Sequence, residues 1–172
     1  MLDFLAAGLS APEAVAQAVR QEKFPEYRQL LCVDALGRTA AWSGKNALGI
    51  WGTAEGKGVV AGGNLLADRA IPAAMVTVFE TTTGHLGDRL TAALQTAMTL
   101  GGEAGPVHSA GMLIVGTHPW PLAELRCDWD EADPIAHITR AWAVYKPQMD
   151  AYQTRAIDPR AAPAYGVPGE MP

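Results

Sequence analysis

Basic clusters are absent from this chain. Thirteen Lys and Arg against eighteen Asp and Glu leave a net charge of −5. Nothing along the sequence is built to hold a polyanion, which excludes nucleic acid as a partner. Cysteine is scarce as well. Cys32 and Cys127 stand singly inside apolar runs, with no CxxC and no Cys/His ligand spacing. They read as two small buried thiols of a cytoplasmic, reducing environment rather than as a disulfide framework. No uncharged apolar run approaches the ~18 residues that a membrane crossing needs, so no membrane partner is expected. Nor is a secretion leader: Asp3, Pro12 and Glu13 interrupt the first apolar stretch, and no Lys or Arg precedes it.

The familiar chemical signatures are missing too. There is no GxSxG elbow, no GxxxxGK[ST] phosphate loop, no HExxH and no Rossmann glycine pattern opening a βαβ unit. His85, His108, His118 and His137 are scattered, so neither a metal nor a cofactor is expected. What remains is a globular composition, 49% hydrophobic and 18% charged over 172 residues, long enough to bury a core as one domain.

The chain is organised around Gly58–Asp68, GVVAGGNLLAD. It reads as a buried strand from Val59 to Ala61, a Gly62-Gly63-Asn64 turn and an approach to a helix. The glycines permit positive φ or a close backbone approach, and Asn64 can turn its amide to a ligand. Before it, Ser10-Ala-Pro-Glu13 is a helix start with a capping box, and the helix runs to about Gln21. Residues 28–34 and 38–43 form a hairpin around Ala35-Leu-Gly37, and 45–57 is a loop. After it come helices over 70–82 and 86–100, paired around Gly84. A second hairpin joins 109–115 to 122–128, and Asp133-Pro134 starts a last helix to about Tyr145. The domain is therefore 1–146, and 147–172 is a Pro/Ala/Gly-rich tail that wraps the surface or is disordered. Paired strands alternating with paired helices suit a layered α+β fold.

Among polar candidates, Ser109 sits at a strand mouth, where a satisfied hydroxyl competes with a nucleophile. His108 beside it points to the opposite face of the strand, so the two make no dyad. The segment 126–133, RCDWDEAD, gathers four acids and one Arg at a strand-to-helix junction. It could bind a cation or a substrate amine; a helix cap with a solvated acidic loop is the plainer reading.

Four stretches in consistent order carry a resemblance: 28–44 (RQLLCVDALGRTAAWSG), 59–68 (VVAGGNLLAD), 87–102 followed by 108–115 (HSAGMLIV), and 125–135 (LRCDWDEADPI). Over residues 2–145 the chain resembles the bacterial and archaeal domain-of-unknown-function family 1028. The resemblance implies an Ntn-hydrolase-like four-layer αββα sandwich. It also implies hydrolysis of a small-molecule amide C–N bond by an N-terminal Cys, Ser or Thr whose own α-amine is the base. Asn64 is then the oxyanion or substrate contact, while Gly62, Gly63, Ser109 and Asp128 line the substrate site.

The chain departs from that family at its start. Leading strands with the nucleophile are expected before the first helix, whereas Met1 is followed by Leu2. An N-terminally truncated sandwich is the favoured expectation. A naturally shortened descendant, or cleavage before Thr53 or Thr117, competes with it. Missing strands would leave open ladder edges, so self-association as a homo-oligomer is expected. A non-catalytic dimerising or ligand-binding module is the alternative to the enzyme.

Overall fold

A computed structural model describes residues 1–164 and 166. They fall into two compact units, Met1–Val107 and His108–Pro172.

The first unit opens with α1 (Leu2–Ala6) and α2 (Ala11–Gln21). The Ser10 side chain accepts from the Glu13 N–H, and the Glu13 carboxylate takes the Ser10 N–H at 2.8 Å, completing the capping box. Ala11, Ala14 and Val15 face inward, against the antiparallel hairpin β1 (Gln29–Val33) and β2 (Thr39–Ser43). Alternation along β1 decides what goes where. Leu30 and Cys32 pack on the helical side with Ala11 and Val15, while Leu31 points the other way. Asp34 ties the hairpin turn to the helix. One carboxylate oxygen accepts from the Leu36 and Arg38 N–H groups. The other takes the Arg38 guanidinium at 2.6 Å and the N-terminal Ala11 N–H of α2 at 3.0 Å.

A second antiparallel hairpin, β3 (Gly52–Gly56) and β4 (Val59–Gly63), lies beyond the first. The expected loop over 45–57 is thus wrong in its second half. No apolar alternation marks β3, because Gly52, Ala54 and Gly56 face α3 (Ile71–Thr81) at close range. A Cβ on Gly56 would come 2.6 Å from the Val76 side chain. On its other face Gly62 would put a Cβ 3.0 Å from Leu31. Small residues are what let helix, hairpin and hairpin stack this tightly. The expected glycine turn is corrected likewise: Gly62 and Gly63 are extended strand residues, and the left-handed residue is Leu65, with φ of 52°. α4 (Leu86–Thr99) packs on α3 and completes a helix, hairpin, hairpin, helix stack within this unit.

The second unit is the antiparallel hairpin β5 (Ala110–Val115) and β6 (Pro121–Cys127) under α5 (Pro134–Tyr145). Met112, Ile114, Ala123 and Cys127 are buried with Ile135, Ile138 and Trp142 of α5, whereas Leu113 and Val115 face outward. Asp133 caps α5 by accepting from the Ala136 N–H at 2.8 Å. The chain does not end its helices there. α6 (Met149–Ile157) forms where the composition suggested an irregular tail; Met149 is buried, and Gln153 accepts from the Trp120 indole at 3.0 Å. Helix-favouring Met, Gln, Arg and Ala over this stretch outweigh the prolines on either side. The rest of the expected tail, at 165 and 167–172, lies outside the described residues.

The architecture is a mixed α/β chain with small antiparallel sheets and helices. Among the described residues each sheet has two strands, so every strand keeps one edge without a strand partner.

Candidate functional site

The end of β4 leads into a group of polar side chains that line a cavity in the first unit. Asn64 follows the strand, and Leu65 then takes its left-handed turn, a conformation that a γ-branched side chain rarely adopts. Three backbone bonds hold it there. Leu65 N–H donates to Leu48 O at 2.9 Å, Leu66 N–H to Ile50 O at 2.8 Å, and Ala104 N–H to Leu65 O at 2.7 Å. The loop 44–51 is thereby laid alongside Asn64, and the 3₁₀ turn Pro25–Tyr27 meets it from the side of β1.

Together these segments line a cavity of about 310 Å³ with Tyr27, Gln29, Asn46, Ala47, Leu48 and Asn64. Gln29 is anchored: its Nε2 donates to Ser43 Oγ at 2.8 Å and to Gly63 O at 3.0 Å. The Tyr27 hydroxyl and the Asn46 and Asn64 carboxamides have no hydrogen-bond partner among the described residues. No carboxylate, His, Lys, Arg or Cys lines the cavity. Its polar edge thus offers neutral donors and acceptors in pairs, which is the complement of an amide or ureide group and a poor host for an ion.

Of the residues read from sequence, Gly62 and Gly63 bring the chain to Asn64 and act through backbone: Gly63 O holds Gln29, and Gly62 admits Leu31. Ser109 and Asp128 belong to the second unit. Both line an open cleft of about 470 Å³ along the outer face of β5 and β6, with Gly111, Leu113 and Arg126. Asp128 is exposed and accepts from Arg126 at 2.7 Å, a solvated ion pair of little energetic weight. Tyr27, Asn46 and Gln29 were missed by sequence reasoning. They lie in or beside irregular chain, and no periodicity or motif singles them out.

The histidines divide by role. His85 caps α4, its Nδ1 accepting from the Gly87 N–H at 3.1 Å while Asp88 takes its own N–H at 2.9 Å. His108 stacks on Trp129 with centroids 4.2 Å apart, and His118 stacks on Trp120 at 5.0 Å. In the acidic segment, Asp130 Oδ1 accepts from the Ala132 and Asp133 N–H groups at 2.8 and 3.1 Å. Those two bonds, more than the nearby His137 and Arg140, hold its carboxyl below the usual range.

Small antiparallel sheets with flanking helices define a mixed α/β chain, and the first unit carries an uncharged polar cavity at a strand end. More particularly, the chain belongs to the family of unknown function DUF1028, whose pattern matches residues 1–138. It is similar to a crystal structure of a DUF1028 protein from Silicibacter pomeroyi, at 29% sequence identity and a TM-score of 0.76. That likeness covers 84% of this chain and 64% of the other, so the chain spans less than two thirds of that protein's length. No curated protein matches the sequence.

Proposed function

We propose that the chain is the greater part of an Ntn-hydrolase-like domain, residues 1–146, that cleaves a small-molecule amide C–N bond in its intact form. The observation that carries this reading is the cavity at Asn64, lined by carboxamides and a phenol and free of charge. Such a lining recognises a neutral amide at both its carbonyl and its N–H, and in this reading Asn64 supplies the donor to an oxyanion. The helix, hairpin, hairpin, helix stack of residues 1–107 supports the αββα reading. Two free buried thiols suit a cytoplasmic setting, and among the described residues no helix is long and apolar enough to cross a membrane.

The test uses a full-length family protein of the Silicibacter pomeroyi kind, given the Asn at the position equivalent to Asn64, with amine release from a panel of small amides as the readout. Asn64→Ala at that position lowers kcat by ~10²-fold if the side chain stabilises an oxyanion. Unchanged kinetics removes the role. A second reading, a non-catalytic ligand-binding module, is favoured by the lack of any carboxylate, His or Cys in the cavity wall. It predicts amide-induced thermal stabilisation without amine release.

A further inference from the structure

Away from Asn64, three side chains of different ligand types converge in the second unit. Cys127 ends β6 and is buried, Asp130 is half-buried in the following loop, and His137 is exposed on α5. One sulfur, one carboxylate oxygen and one imidazole nitrogen lie within 4.8 Å of one another. His137 Nδ1 stands 3.9 Å from Asp130 Oδ2, too far for a hydrogen bond. Asp130 Oδ1 is already occupied by two backbone N–H groups, which leaves Oδ2 to face the other two ligands.

We propose that Cys127, Asp130 and His137 form a binding site for one zinc-class divalent ion, with the fourth position open to solvent. Convergence on one point favours this over a Cys–His–Asp relay. A relay sets thiol and carboxylate on opposite nitrogens of the ring and keeps them apart by its width. Tetrahedral bonds of about 2.0–2.3 Å place neighbouring ligand atoms about 3.3–3.6 Å apart, so side-chain rotation of the order of 1 Å closes the site. A thiolate and a carboxylate neutralise the dication, imidazole completes the borderline-soft set that zinc prefers, and the Cys127 proton leaves to solvent on binding. The positive end of α5 opposes a cation nearby, and Asp133 at its cap offsets that field.

Cobalt(II) added to the full chain is the probe, because a thiolate ligand gives a sulfur-to-cobalt charge-transfer band and tetrahedral geometry gives intense visible absorption. The expected result is one equivalent bound, both features present, and displacement by zinc. Cys32→Ser keeps the band and Cys127→Ser loses it. His137→Gln changes a half-exposed side chain and Asp130→Asn preserves the loop acceptor. Both fold by circular dichroism and bind cobalt ~10-fold or more weaker. No band at one equivalent, a band that survives Cys127→Ser, or the same affinity in the folded His137→Gln and Asp130→Asn chains overturns the site.

Discussion

Gly44→Ala tests how the wall of the Asn64 cavity is held. A Cβ at this position would lie within 3.0 Å of three backbone atoms, Glu26 C, Glu26 O and Pro25 O, a distance real Cβ atoms do not tolerate. Backbone cannot rotate aside as a side chain can, so the Pro25–Tyr27 turn must retreat. That retreat breaks two bonds of 2.8 Å, Gly44 N–H to Arg28 O and Asn46 N–H to Glu26 O. Each contributes about 1 kcal/mol, and residual overlap adds about 1–2 kcal/mol, for a total of about 3–4 kcal/mol. For a chain of this size the thermal midpoint falls by about 10 °C. Tyr27 and Asn46 both move with the turn, so the amide binding proposed for the cavity weakens in the same variant. Gly105→Ala is the control, since its Cβ meets nothing within 4 Å and its φ is ordinary; it leaves the midpoint unchanged or slightly raised. Differential scanning calorimetry decides. A Gly44→Ala midpoint within a degree or two of the parent refutes the claim that this contact is rigid.

Two further outcomes follow from features outside the cavity. Burial alone would raise the Asp34 carboxyl, but bonds from Ala11, Arg38 and Leu36 overcome that and hold it down to about 2. A depressed carboxylate contributes stability that is complete above its unfolded value of about 3.9 and is lost as the pH falls from there toward 2. Melts between pH 5 and pH 2 therefore show an acid limb that Asp34→Asn flattens; an unaltered limb in that variant counts against the role. Leu113 and Val115 leave 60% and 69% of their surface exposed beside open strand edges, which predicts self-association of residues 1–172. Size-exclusion chromatography with Leu113→Lys should shift the chain toward monomer, and a monodisperse parent monomer contradicts the prediction.

Elements whose local chemistry and burial agree were legible in the sequence. Ser10, Glu13 and Pro12 mark the start of α2, and Asp133 with Pro134 marks α5, because capping groups act within one turn of chain. The β1–β2 and β5–β6 hairpins were equally plain from their apolar runs. β3 was hidden because its inward residues had to be small for α3 to approach, which erased the alternation that reports a strand. Asn64 could be singled out beside its glycines; of the two uses read for them, close approach holds, since a Cβ on Gly62 would meet Leu31 at 3.0 Å, while the left-handed turn is made by Leu65. Tyr27 and Asn46 join Asn64 only through backbone bonds between irregular segments, and no spacing rule encodes such a meeting. The approach of His137 to Cys127 and Asp130 was likewise invisible, since it depends on where α5 lies across β6.

A leucine in the left-handed region costs about 1–2 kcal/mol, and more than two-fifths of this one is solvent-exposed. Its side chain therefore recovers little of that cost by packing. Glycine would be the more comfortable occupant, and its looseness would let the preceding carboxamide swing. The tension at Leu65 is therefore borne by the backbone bonds at residues 65, 66 and 104, and the domain gives up some resistance to heat to keep that turn.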